Sequence, residues 1–198
     1  MGHSETYLRE VGELAAQVSA GDMEAMATGL AAVRDGGGRL FILGVGGGAA
    51  HASHAVNDFR KICHFEAYAP TDNVAELTAR TNDEGWETTF VEFLRTSRIS
   101  DKDALLVFSV GGGSREHNVS MNIVNALEYG KEAGAKIYGI VGSPDGTTAQ
   151  LADVAIVVNA PNDRRTPHVE SFQAILWHLL VSHPALAAQD GKWESLTK

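Results

Sequence analysis

Two pairs of side chains stand at spacings that chemistry could use. His54 and Asp58 are four residues apart in the helix-like stretch AAHASHAVNDFRKI, so they share one helix face. Glu170 and His178 lie eight apart, two turns along the closing stretch TPHVESFQAILWHLL, and also share a broad face. Imidazole and carboxylate together suit a zinc ion, and an open coordination position could take adjacent oxygens of a substrate. Taken singly, each of these residues is more readily an ordinary polar surface group, because charged residues are mostly exposed. Two glycine clusters, Gly44-Val45-Gly46-Gly47-Gly48 and Gly111-Gly112-Gly113-Ser114, each follow an apolar run and precede a helical one. Glycine lets the backbone approach an anion and adopt positive φ, while the helix start behind it offers unpaired N–H donors. One such loop is more simply a tight turn. Two matched loops at strand ends favour phosphate binding.

The elements that would position these groups follow a repeated grammar. Apolar runs RLFILG (39–44), ALLVFSV (104–110), KIYGIVG (136–142) and VAIVV (154–158) alternate with helical stretches. Strands separated by helices call for crossover connections and a largely parallel sheet covered on both faces. The simplest result is an α/β domain with a five-stranded, doubly wound parallel sheet, whose ligands lie outside the carboxyl ends of the strands. Residues 4–34 carry apolar positions at helical spacing, with Gly21-Asp22 as the expected break in a helical hairpin or bent helix. The final helix is expected from Thr166 to Val181, with Thr166 as cap, Pro167 in the first position and His183-Pro184 at its end. At 198 residues and 44% hydrophobic composition, one domain over 1–198 is expected, with 1–36 as its N-terminal helical segment.

Charge and cysteine usage exclude several classes. A formal net charge of -9 without a long Lys/Arg run argues against a nucleic-acid partner, although helix starts attract anions locally whatever the global charge. The one cysteine, Cys63, has no intramolecular disulfide partner, and its neighbours Ile62 and His64 form no recognised motif, so it reads as structural. The opening MGHSETYLRE lacks an apolar leader and no run approaches a membrane span, so a cytoplasmic protein without a membrane partner is expected. A dinucleotide fingerprint fails because Ala49 and Ala50 stand where a third glycine would fall, with Glu66 only loosely placed as the acidic residue. Neither loop is followed by Gly-Lys-Ser/Thr, which removes a P-loop.

In their order and spacing, GVGGGAAHASHAVND, ARTNDEGWE, FSVGGGS and TPHVESFQAILWHLL resemble the sugar isomerase (SIS) domain family, in its phosphoheptose isomerase branch, from about Leu40 to Leu180. The resemblance implies a metal-dependent aldose–ketose isomerase acting on sedoheptulose 7-phosphate through an enediol. It places a divalent metal, usually zinc, among His54, Asp58, Glu170 and His178, and draws the acid and base from Asp58, Glu170 and His178. It assigns phosphosugar binding to Gly46, Gly47, Gly48, Asn82, Asp83, Ser109, Gly111, Gly112 and Ser114. It also implies a homotetramer with active sites between subunits. Departures are specific. Val45 and Gly48 replace Asn and Ser; Val110, Gly111 and Gly113 replace hydroxyl or amide residues; Asp58 replaces Glu, Glu170 replaces Gln, and Pro167 stands where some members carry a catalytic Asp. REHNVS after Ser114 reads as an insertion that reshapes the helix start. His51, His64, His168 and His183 have no such counterpart and stay unassigned. The competing expectation is a noncatalytic SIS module that binds a phosphosugar or a protein partner, as replication-associated relatives do.

Overall fold

The computed structural model describes residues 2–196. Two helices open the chain, α1 (His3–Gln17) and α2 (Ala20–Asp35). The break falls at Val18-Ser19 rather than Gly21-Asp22, because Ser19 Oγ accepts from Asp22 N–H at 3.2 Å and caps α2. Gly21 is thereby taken into the first turn of α2.

Five parallel strands follow: β1 (Leu40–Gly44), β2 (Ala67–Tyr68), β3 (Ala104–Ser109), β4 (Lys136–Val141) and β5 (Val154–Val157), in the order β2-β1-β3-β4-β5. Four match the apolar runs of the sequence to within a residue or so at either end. The fifth, β2, is only two residues long and carries no run of its own. Side chains alternate between two cores. Leu40, Ile42, Leu106, Phe108 and Ile140 face one side, with α2, α3 (Gly47–Cys63) and α8 (Arg165–Ser182) packed over them. Phe41, Leu43, Leu105, Val107 and Ile137 face the other, under α5 (Thr89–Thr96) and α6 (Met121–Glu132). Burial on both faces is why the strands read as continuous apolar runs. The remaining helices are α4 (Val74–Asp83), α7 (Thr147–Leu151) and α9 (Lys192–Ser195). Among the described residues no helix is long and apolar enough to cross a membrane.

Two helix starts differ from expectation. The last helix begins at Arg165, because a 3-10 turn over Asn162–Arg164 feeds directly into it; Thr166 makes no cap, and Pro167 falls inside the first turn, where its missing N–H is no loss. After the second glycine loop, Ser114 and Val119 exchange backbone hydrogen bonds at 2.9 Å and close a small hairpin, so α6 starts only at Met121. This is the reshaping that REHNVS foreshadowed.

The first helix is held by charge as well as by apolar contact. Glu10 is buried, and accepts from Arg164 Nε at 2.9 Å, Arg164 Nη2 at 2.7 Å and His168 Nε2 at 2.9 Å. Tyr7 stacks on the buried His168 ring at 4.3 Å between centroids. The Arg164 and His168 hydrogen bonds hold the Glu10 carboxyl at about 2, down from 4.5. A carboxyl depressed on folding stabilises the native state above its unfolded value and loses that contribution as pH falls through the folded one. Thermal melts should therefore place Glu10→Gln below the wild type at neutral pH. The gap should begin to close below about 4.5 and be gone near 2; a gap independent of pH would contradict the ionic account.

Candidate active site

At the carboxyl ends of β1 and β3 the strand order changes direction, with β2 on one side of β1 and β3 on the other. A cleft of ≈ 270 Å³ opens there, lined by Val45, Gly48, Ser109, Val110, Glu170 and Gln173 among others. Its walls rest on close backbone contacts. Gly46 precedes α3 at φ 61 and ψ -122, a conformation open to glycine. A Cβ on Gly48 would lie 2.5 Å from the Phe108 carbonyl oxygen, so α3 can start this near β3 only with glycine at that position. A Cβ on Gly47 would lie 2.6 Å from Glu170 Oε1, which places that carboxylate at the glycine turn. Within the turn, Gly48 N–H donates to Val45 O and Ala49 N–H to Gly46 O, both at 3.1 Å.

The second loop is tied from behind. Gly112 and Gly113 take φ 77 and 78. Gly112 N–H donates to Ser109 Oγ at 3.0 Å, while Gly112 O accepts from Thr148 N–H at 2.9 Å and Thr148 Oγ1 at 2.8 Å. Ser109 and Gly111 line the cleft; Gly112 is buried beneath it, and Ser114 is held in the hairpin. Asn82 and Asp83 lie at the exposed end of α4, hydrogen-bonded to each other at 2.7 Å, and do not line the cleft.

Beside the cleft, α3 packs along α8 and brings three expected ligands together. His54 Nε2 lies 3.5 Å and His178 Nε2 3.6 Å from Asp58 Oδ2, and all three ligand atoms fall within 4.8 Å of one another. A tetrahedral ion bound at about 2.0–2.1 Å would hold its ligand atoms roughly 3.4 Å apart, so the cluster fits a divalent metal. The tautomer fits too. His178 Nδ1 faces Ala174 O at 2.7 Å and therefore carries the hydrogen, leaving Nε2 with a lone pair towards Asp58. Asp58 is buried, with Trp177 Nε1–H donating to its Oδ2 at 3.2 Å and Asn57 Nδ2 to its Oδ1 at 3.0 Å. Both imidazoles are about half exposed. Glu170 stands outside this cluster, nearer the start of α8, with its carboxylate in the cleft and no hydrogen-bond partner among the described residues.

Three supporting residues escape a reading of spacing alone. Trp177 looks like any core aromatic. Gln173 is fully buried and its Oε1 lies 3.0 Å from His51 Nδ1, while its Nε2 reaches Ile140 O at 3.4 Å. The His51 pairing joins α3 to α8 and the Ile140 one ties α8 to β4, and both become visible only when these elements are in contact. Cys63 is structural as expected: it is buried, burial pushes its thiol up to about 12, and Sγ lies 3.6 Å from Val181 O.

Residues 6–142 match the family model described as SIS domain. The chain is 30% identical to phosphoheptose isomerase of Chlorobium phaeobacteroides over 88% of its own length and 76% of that protein's. It is 32% identical to lincomycin biosynthesis protein LmbN of Streptomyces lincolnensis, over 89% of its own length but 66% of that protein's, just under two thirds. Its fold is that of a phosphoheptose isomerase from Francisella tularensis, with a TM-score of 0.77 and 22% identity over 90% of this chain and 92% of that one. The chain belongs to the SIS domain family, on its phosphoheptose isomerase branch.

Two variants separate the packing roles from the ligand roles. Trp177→Phe removes the N–H that orients Asp58 and should weaken metal binding about 10- to 100-fold in competition with a chelator. Gly48→Ala presses a methyl against the Phe108 carbonyl and should cost roughly 1–3 kcal/mol in denaturant unfolding. An unchanged midpoint would mean that the glycine is dispensable to the fold.

Proposed function

We propose that this protein is a metal-dependent aldose–ketose isomerase that interconverts sedoheptulose 7-phosphate and D-glycero-D-manno-heptose 7-phosphate. The observation that carries the reading is the His54, Asp58 and His178 cluster on the seam between α3 and α8, next to a strand-end cleft that holds a free carboxylate. His54, Asp58 and His178 would hold the divalent ion, with zinc favoured by the mixed imidazole and carboxylate donors. Once bound, the ion would supply Lewis-acid stabilisation of negative charge on the substrate oxygens.

The chain's own groups divide the proton work. Both Asp58 oxygens are engaged, Oδ2 by Trp177 and Oδ1 by Asn57. Glu170 is therefore the general base. It takes the proton from C1 as the C1–H electrons form the C1=C2 bond and the C2 oxygen is protonated, which yields the enediol. Loss of the O1 proton, which balances the one gained at O2, and return of the C1-derived proton from Glu170 to C2 then complete the aldose. The shielded position of Glu170 against the glycine turn suits a base that must keep one proton from water.

A homotetramer with sites between subunits fits the surface. His54 and His178 are half exposed, and Ile175 and Leu179 are exposed on α8 beside His178. A neighbouring copy laid on that row would shield both the apolar side chains and the ligands. The alternative, a noncatalytic phosphosugar-binding module, is supported by the lack of side-chain donors at Val45, Gly48, Val110 and Gly111, and predicts ligand binding that survives Asp58→Asn and Glu170→Gln.

The deciding assay gives sedoheptulose 7-phosphate to the purified, zinc-loaded protein and follows aldose formation. Turnover is expected. Glu170→Gln should keep its metal and lose on the order of 10²- to 10⁴-fold in kcat, whereas His54→Ala and His178→Ala should lose metal without unfolding. No product where a control isomerase turns over would overturn the reading.

A further inference from the structure

Val45, Gly48, Val110 and Gly111 offer an anion at the strand ends no side-chain donor, and the residues that line the cleft include no lysine or arginine. They do include Glu170, whose carboxylate repels a second anion placed beside it. The first-turn amides of Gly48 and Ala49 are already used within the turn. A cation just beyond the walls would offset the repulsion from Glu170.

Arg165, the first residue of α8, is placed to supply it. Its stem packs at the carboxyl end of β4: a Cβ on Gly142 would lie 3.4 Å from Arg165 Cγ and 2.9 Å from the Val110 carbonyl oxygen. Gly142 N–H donates to that same carbonyl at 2.9 Å, so Val110 in the cleft wall, Gly142 and Arg165 are contiguous. The guanidinium is unusual in what it lacks. Its Nε is enclosed without a hydrogen-bond partner, no carboxylate lies within ion-pair distance among the described residues, and its one side-chain acceptor is Asn162 Oδ1 on Nη2. Arg164 beside it is paired with both Glu10 and Asp163. Enclosure keeps Nε itself out of a ligand's reach, so that unmet donor is a cost carried by the fold, and the charge of the group is offered through its terminal nitrogens, which no carboxylate among the described residues holds. The first turn of α8 carries no acidic residue and no side-chain cap, so the positive end of an 18-residue helix reinforces the charge.

We infer that Arg165 binds the phosphate of the substrate through its planar fork of donors, reaching over the Val110 wall of the cleft. The identity of the sugar rests on the isomerase reading above; the binding of the anion does not. Inorganic phosphate titrated by calorimetry into the full-length, zinc-loaded protein tests the contact directly. Arg165→Met should weaken phosphate on the order of 10- to 100-fold, and raise KM for sedoheptulose 7-phosphate by a similar factor with kcat little changed. Arg165→Lys keeps charge and stem but loses the fork, and should fall between the two; it also guards against a folding failure of the methionine variant. Equal phosphate affinity in wild type and a folded variant, or no phosphate binding by the wild type, would overturn the inference. Failure of wild-type turnover would instead remove the isomerase reading and leave the phosphate titration to decide this one.

Discussion

Trp177 is buried between α3 and α8, with its ring centroid 5.7 Å from that of Phe108 on β3 and within 4.8–5.3 Å of those of His51, His54 and His178. Its one polar atom donates to Asp58. A single side chain thus anchors the helix pair to the sheet, packs against three imidazoles and orients the carboxylate that His54 and His178 face. Buried aromatics with a polar tip find a partner almost as a rule. Here the partner is a buried carboxylate whose other oxygen accepts from Asn57, and the Trp177 bond satisfies Oδ2 while leaving it facing two half-exposed imidazoles.

The helices meet as a parallel pair because both return over the same face of a parallel sheet. Contacts therefore advance together along both chains: Gly47 with Glu170, His51 with Gln173, and His54 and Asp58 with Trp177 and His178. One end of this seam opens into the strand-end cleft and the other onto the half-exposed imidazoles of the His54, Asp58 and His178 cluster. The order is a consequence of topology, and an antiparallel pairing would have put Glu170 beside Asp58. With the observed order, one carboxylate lies in the cluster while the other stands apart from it in the cleft, without a hydrogen-bond partner among the described residues.

Much of this was legible in the sequence. Four of the strands announced themselves as apolar runs, because burial on both faces removes any alternation with polar residues. The fifth was hidden by its two-residue length. Within α3, the spacing of His54 and Asp58 sufficed to put them on one face. Joining them to His178 takes a contact across about 120 residues of chain, which no local pattern encodes; the family resemblance supplied it. That resemblance also grouped Glu170 with the ligands, whereas the structure leaves it at the glycine turn. The glycines themselves carried a double meaning. Gly48 reads as a place for an anion to approach, but its immediate neighbour is the Phe108 carbonyl, and what the missing Cβ admits is a backbone.

Arg164 and Arg165 show how adjacent, identical side chains acquire different tasks from geometry alone. At the start of a helix, successive residues point about 100° apart. Arg164 turns towards α1, where Glu10 waits with a depressed pKa and a hydrogen bond to His168, and its charge is consumed in docking the N-terminal helix. Arg165 turns towards β4, where Gly142 lets its stem pack close to the carboxyl end of the strand. Among the described residues no acid pairs with it there. In a chain with net charge -9, acidic partners are plentiful, so a partly buried arginine left without one reflects where the backbone puts it rather than a shortage of carboxylates. Its position at the ligand-binding edge of the sheet, one strand from a cleft that is otherwise without positive charge, makes the lack of an internal partner useful. An arginine already neutralised by a protein carboxylate would have to break that pair before it could hold a substrate's anion, whereas Arg165 meets the anion with its charge unspent.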